Sequence, residues 1–339
     1  MKKITALLLT LAILVTFSAC GSGNNDGDST NDPVELKLNT SVSAGSTWVD
    51  GANRFAELIE ERTEGRYTIK VFTDAQLASG SQPDSITMHQ SGDIDISLMG
   101  CLVWANADTR FCMPCMPWLF SDWDAVRASL GDGMPGAEAL ATIVEDCGAH
   151  SIGVGANGFR QLFTTGKQVT SLEELTGLKI RIPGNSLYID LWKELGADPV
   201  SMSISELYTA LQQGAVEAQE NPYDSTVTSG VAEVTDYGTE WNYSYEPIIL
   251  SVSDKVWNTL SDEDKVIFAE CGAEAMEYQV GVAEDKNAEF KDQCINEYGI
   301  EVVELTDDQI AAFKDAAQTI YENYKDIMGS DLYEAFGVE

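Results

Sequence analysis

Two hydrophobic periods alternate along this chain. Val34–Thr40 and Tyr67–Phe72 carry apolar residues at every second position and predict strands, and Ile94–Met99 is a third short apolar run. Between them, Trp48–Thr63 repeats its apolar residues at helical spacing, and Gln82–Ser91 predicts a second helix. Alanine-rich Ala137–Asp146 predicts a helix leading into a strand at Ser151–Val154. Leu178–Ile182 predicts a short buried strand closed by Pro183-Gly184, and the pattern at Tyr188–Leu195 is again helical. Val302 and Val303 predict a last short strand, and Ala311–Ile327 a final helix. Such alternation is the signature of an α/β architecture.

The helix starts are marked independently. Ser203-Ile-Ser-Glu206 is a capping box opening a helix through Gln213, and Ser171-Leu-Glu-Glu174 and Thr306-Asp-Asp-Gln309 repeat the signal. Ser261 caps the longest predicted helix, Asp262–Glu297, which contains no proline and is weakened only at Gly272 and Gly281. At about 1.5 Å per residue it is long enough to run beside two domains.

The N-terminus changes the picture of where the chain works. Lys2 and Lys3 precede an apolar run from Ile4 to Phe17, followed by Ser18-Ala19-Cys20. This is the layout of an export signal, too short to span a bilayer as a helix. Cys20 after small residues resembles a bacterial lipobox, which implies that residues 1–19 are removed and that Cys20 becomes a lipidated first residue anchored to a membrane. Residues 20–33 then form a flexible tether rich in Gly, Ser, Asn and Asp.

The 339 residues hold 20 Lys+Arg against 55 Asp+Glu. So acidic a chain has no basic stripe with which to neutralise phosphates, which excludes nucleic acid as a partner. Six cysteines besides Cys20 are compatible with disulfides in an exported protein, with no pairing readable from spacing. Cys112-Met-Pro-Cys115 has redox or metal spacing, but it sits among prolines rather than opening a helix, and no paired histidine completes a metal site. Packing or a disulfide is the simpler reading. His89 and His150, the only histidines, are read as structural or exposed. Gly153-Val-Gly-Ala-Asn-Gly158 fits a dinucleotide fingerprint after a predicted strand, yet no helix opens at its last glycine. No other catalytic motif is present; no enzyme activity, cofactor or metal is expected.

Against this background Arg181 stands out. It is the last arginine of the chain, placed near the C-terminal edge of a predicted strand, where open α/β sheets hold ligands. Its guanidinium offers a rigid fork of donors matched to a carboxylate. It either forms an ion pair with one of the chain's many acids or clamps the carboxylate of a ligand.

From Asn157 onward the order of features becomes specific: Asn157-Gly-Phe-Arg160, Ser171-Leu-Glu-Glu-Leu-Thr-Gly-Leu-Lys-Ile-Arg-Ile-Pro183, Trp192-Lys-Glu-Leu-Gly-Ala-Asp-Pro199, Glu206-Leu-Tyr-Thr-Ala-Leu-Gln-Gln-Gly214 and Gln219-Glu-Asn-Pro222. This resembles the solute-binding proteins of tripartite ATP-independent periplasmic (TRAP) transporters, of the C4-dicarboxylate-binding type. The resemblance implies a two-lobed, periplasmic-binding-protein-like α/β fold with a long helix spanning both lobes. Lobe I would comprise 34–157 and about 246–285, and lobe II 158–245 and about 286–339. It also implies capture of a small organic acid and its delivery to TRAP membrane permease subunits; a sensor presenting a carboxylate to a membrane receptor is the alternative. By the same resemblance Arg181 pairs with the ligand carboxylate, Arg160 supports it and Asn221 adds an amide hydrogen bond. Two arginines would leave the cleft positive despite the acidic chain. Asn242, Tyr243, Trp48 and Trp104 fall where they would line the cleft, and rings there suit an aromatic acid or the apolar face of a sugar acid; otherwise they are core. Many members carry an acidic or polar residue where this chain has Met99-Gly100-Cys101.

Overall fold

A computed structural model describes residues 33–338; the export signal, Cys20 and the tether lie outside them. The described residues hold nine strands: β1 (Val34–Thr40), β2 (Tyr67–Phe72), β3 (Ile96–Gly100), β4 (Ala149–Thr164), β5 (Lys179–Ile182), β6 (Asp198–Ser201), β7 (Ala218–Asn221), β8 (Tyr237–Ser253) and β9 (Glu301–Glu304). They form one mixed sheet in the order β2-β1-β3-β8-β4-β7-β5-β6, with β9 pairing β8. The expected helices at Trp48–Thr63, Gln82–Ser91 and Tyr188–Leu195 appear as Thr47–Arg62, Gln82–Gln90 and Ser186–Glu194. All three capping boxes are formed.

Two expectations need correction. The strand expected at Ser151–Val154 runs over Ala149–Thr164, because Phe159–Thr164 finds partners in both β7 and β8. The single C-terminal helix expected over Ala311–Ile327 is instead two, Asp307–Ala316 and Gln318–Met328, and a further helix, Ser330–Ala335, follows them. Its break falls at Ala317, with Ile320 and Phe313 buried on either side.

The antiparallel pair β4 and β8 joins the two halves of the sheet. The N-terminal part of β4 and the C-terminal part of β8 belong with β1–β3, and the opposite ends belong with β5–β7 and β9. Their register shifts at Ser151/Gly153, Ala156/Gly158 and Arg160/Leu162, so the ladder bends where the halves meet. The 35-residue helix Asp262–Asn296, about 52 Å long, lies along this seam. Its Cys271, Ala275 and Met276 pack with the β1–β3 core, whereas Phe290 and Cys294 pack with Phe163 and Tyr223. These are the two lobes and the long helix of the expected fold class.

Two glycines of the 153–158 motif, Gly153 and Gly155, face this helix. A Cβ on Gly153 would stand 2.7 Å from the Gly272 carbonyl oxygen, and one on Gly272 would stand 2.3 Å from that of Ile152. Helix and strand therefore approach backbone to backbone, and a nucleotide is not what the glycines make room for. All six cysteines among the described residues are free thiols, and Cys112 and Cys115 are buried. No group of metal-ligating side chains occurs among the described residues, and none of their helices is long and apolar enough to cross a membrane.

Candidate functional site

Strands β4, β7 and β5 lie side by side and carry Arg160, Asn221 and Arg181. Gln161 pairs with Asn221 and Arg181 with Gln219, which sets all three at the same level of the sheet. Their side chains line one small cavity of about 30 Å³ together with Trp48, Asn157, Ser225, Glu246 and Gln82. It adjoins a larger chamber of about 610 Å³, the two sharing Gln82, Val103 and Pro183.

Arg160 and Arg181 are both buried, yet their surroundings differ completely. Arg160 is saturated: Nε and Nη2 donate to the Glu220 carboxylate, Nη1 to Glu246, and Nη2 also to the Glu220 carbonyl at 2.6 Å and Asn221 Oδ1 at 3.0 Å. Burial opposes its charge, but Glu220 and Glu246 outweigh burial and hold its pKa well above the ordinary value. Tyr188 adds a ring face 5.8 Å from the guanidinium carbon. Arg181, by contrast, makes one side-chain hydrogen bond among the described residues, from Nε to the Met202 carbonyl at 3.0 Å, and no ion pair. Burial pulls its pKa down from 12.5 to about 10, with the distant Glu220 only partly offsetting it. An arginine has five N–H donors, so four on Arg181 lack an acceptor among the described residues.

This corrects the electrostatic expectation. The site is not doubly positive, because Glu220 and Glu246 balance the two guanidinium groups. Glu246 is raised above the usual carboxylate range by burial, against the opposing pull of Arg160 and Asn157. It occupies the space beside Gly100, where a Cβ would meet its Oε1 at 2.2 Å. The acidic group missing from the Met99-Gly100-Cys101 segment is thus supplied from β8.

The remaining expected residues divide. Trp48 joins the cavity, its indole N–H donating to Asn157 Oδ1 at 3.2 Å. Tyr243 stands behind it: its hydroxyl donates to Glu220, and its ring packs 5.4 Å from Trp192. Trp104 belongs to the core, edge-on to His89 at 5.9 Å and against Phe111 at 5.2 Å. Asn242 is exposed on a β8 irregularity with φ 46°, bonded to Gln161, and does not reach the cavity.

The chain from residue 38 to 326 matches the model of the bacterial extracellular solute-binding protein family 7. The protein belongs to that family. It is 28% identical over 287 residues to the 2,3-diketo-L-gulonate-binding periplasmic protein of Escherichia coli, covering 84% of this chain and 85% of that one. A TRAP periplasmic solute-binding protein of Haemophilus influenzae, solved with bound L-gulonate, superposes with a TM-score of 0.82 at 28% identity, over 89% of this chain and 99% of that one. One from Shewanella oneidensis, solved with bound succinate, gives 0.83 at 25% identity, over 90% and 98%.

Several residues of this TRAP solute-binding protein's site were not singled out from sequence. Asn157 bridges Trp48, Ser225 and Glu246, donating to the last at 2.6 Å. Asp224 accepts from the Thr47 backbone N–H at 2.9 Å and from the Ser46 hydroxyl at 3.2 Å, tying the helix after β7 to the start of helix Thr47–Arg62. Gln82 accepts from the Ile204 N–H at 3.2 Å, and Ser205 donates to the Gly80 carbonyl at 3.3 Å. These bonds cross the cleft between the halves of the sheet and close it over the cavity. A lone acid such as Glu246 inside the apolar run of β8 is itself a signal, since buried acids need a partner.

Proposed function

We propose that this TRAP solute-binding protein captures a small organic carboxylate at Arg181 and delivers it to the membrane permease subunits of its transporter. The observation that carries the reading is a fully buried guanidinium with four donors unclaimed among the described residues, beside a second guanidinium that is fully paired. Burying a charge without a partner is costly, and a carboxylate accepting two parallel hydrogen bonds removes that cost. The second N–H of the Asn221 amide, whose first is bonded to Gln219, is available to the same carboxylate. Arg160 acts here as a brace holding Asn221 and the floor of the site, not as a second clamp. Acids bound to the Haemophilus and Shewanella relatives support the ligand class.

The lobes in this reading divide near 157/158 and 245/246, at the bends of β4 and β8, and close by hinge motion on the ligand. The protein binds and releases its ligand unchanged, outside the cytoplasm, held to the membrane by lipid on Cys20. A Cys20→Ser variant that stays with the membrane fraction would refute that anchor. The ligand reading is tested by thermal unfolding against a panel of organic acids, repeated with Arg181→Lys. A ligand of the folded state raises the midpoint. A rise with an acid that is lost in the variant supports the clamp, because an ammonium cannot reproduce the fork. An equal rise in both proteins refutes it.

A further inference from the structure

Gln279, on the long helix Asp262–Asn296, is fully buried and lines neither the inner cavity nor the chamber. Its amide is nonetheless fully engaged. Oε1 accepts from the Ala156 N–H at 2.7 Å, and the two hydrogens on Nε2 go to the Ala156 carbonyl at 2.8 Å and to Thr47 Oγ1 at 3.4 Å. Ala156 needs the first two of these bonds. It faces Pro247 across the β4–β8 ladder, and proline has no N–H to exchange. On the other side, β7 pairs with Gln161–Thr164, further along the strand. Gln279 therefore satisfies backbone groups that the neighbouring strands do not, at the register shift between Ala156 and Gly158. Its neighbours leave room for it: a Cβ on Gly155 would stand 2.6 Å from Gln279 Oε1, and one on Gly51 would stand 2.7 Å from Gln279 Cβ.

The third bond leads from this bend to the cleft. Thr47 opens the helix Thr47–Arg62, and its hydroxyl donates to Asp224 across the cleft. A hydroxyl has one proton to give. With Gln279 donating into the Thr47 oxygen, that proton is left for Asp224, a buried carboxylate that also accepts from the Thr47 N–H at 2.9 Å. The residues next in sequence repeat the connection, since Asn157 Oδ1 accepts from the Trp48 indole and from the Ser225 hydroxyl. Segments 47–48, 156–157 and 224–225 are thus tied together twice, once through Asn157 beside the cavity and once through Gln279 behind it.

Resting on the hinge-closing reading above, we propose that Gln279 is a positioning residue for capture, which aims the Thr47 hydroxyl at Asp224 as the lobes close. Gln279, Ala156 and Thr47 fall in one lobe of that reading and Asp224 in the other. The bonds of Gln279 then persist in the open form, and only the bond from Thr47 to Asp224 is made on closing. Asp224 meets a donor that is already oriented, so less rotational freedom is lost at closure. The gain falls on the closed form, and dissociation is the rate it slows.

The test is stopped-flow fluorescence of association and dissociation, using the tightest acid of the panel whose binding Arg181→Lys abolishes. Gln279→Met keeps the length of the side chain and removes its hydrogen bonds. It should quicken dissociation about fivefold and change association by less than about twofold. In an Asp224→Ala protein the same substitution should quicken dissociation by less than about twofold further, because Gln279 acts through Thr47 on Asp224. A purely structural Gln279 would act equally in both backgrounds. That result, or a dissociation rate unchanged by Gln279→Met, overturns the proposal while leaving the clamp intact. If Gln279→Met does not fold, Thr47→Val makes the same comparison, because it removes the hydroxyl and leaves both Ala156 bonds in place. It should quicken dissociation at least as much, and a rate equal to that of the unaltered protein overturns the proposal. Finding no acid whose binding depends on Arg181 overturns the clamp and this proposal together.

Discussion

Replacing Arg181 and Arg160 in turn by methionine should move the stability of the ligand-free protein in opposite directions. Burial lowers the Arg181 pKa from 12.5 to about 10, which corresponds to roughly 3 kcal/mol of unfavourable charge burial at neutral pH. Arg181→Met removes that penalty and forfeits one hydrogen bond, to the Met202 carbonyl, worth about 1 kcal/mol. The net gain is about 2 kcal/mol, or an upward shift of a few degrees for a domain of about 300 residues. Arg160→Met does the reverse. It strands Glu220 and Glu246 without their common partner, and breaking a buried pair in this way costs about 3–5 kcal/mol. The assay is thermal unfolding of protein stripped of ligand by unfolding and refolding, followed by titration with the tightest acid of the panel. Arg181→Met should melt higher than the unaltered protein yet bind about a hundredfold to a thousandfold more weakly, having lost two charge-assisted hydrogen bonds. Equal destabilisation by both substitutions would refute the distinction between clamp and brace, because it would mean that Arg181 has a stabilising partner in the free protein.

Other expectations follow from neighbouring features. His89 is buried between Ile94 and Ser251, and burial lowers its pKa to about 4. The unfolded chain takes up that proton first, so stability is full above about pH 6.5 and falls by up to about 3 kcal/mol as pH drops towards 4. Denaturant unfolding of His89→Gln should lack that share of the acid sensitivity, and an unchanged pH profile would refute the assignment. Asp224→Ala deprives Ser46 and Thr47 of their acceptor across the cleft, so ligand dissociation should quicken about tenfold or more, as measured by stopped-flow fluorescence. A dissociation rate equal to that of the unaltered protein would show that Asp224 does not hold the closed form. Gly272→Ala drives a methyl to 2.3 Å from the Ile152 carbonyl oxygen and should cost about 1–3 kcal/mol in denaturant unfolding; a neutral result would show that the long helix can shift away from β4.

The sequence disclosed whatever depends on local patterning and hid whatever depends on partners distant along the chain. β1 and β2 alternate cleanly, and the helix starts carry their own hydrogen-bonding residues, so their limits could be read within a residue or two. β8 could not: it is buried along most of its length, holds Pro247 and Gly238, and is a strand because β3, β4 and β9 pair with it. The site followed the same division. Arg181 and Asn221 were found through motif order, but which arginine is free depends on Glu246, 86 residues beyond Arg160, folding back beside it. Spacing cannot report that, because the pairing is made by β4 and β8 running antiparallel through the bend of the sheet. The aromatic residues misled for a related reason. Trp48, Trp104 and Tyr243 have similar character in sequence, and only the register of the sheet decides that the first reaches the cavity, the second the core and the third the far side of Glu220. The free guanidinium is therefore written in long-range pairing: Glu220 and Glu246 both bond Arg160, and Arg181 is left without an acidic partner among the described residues.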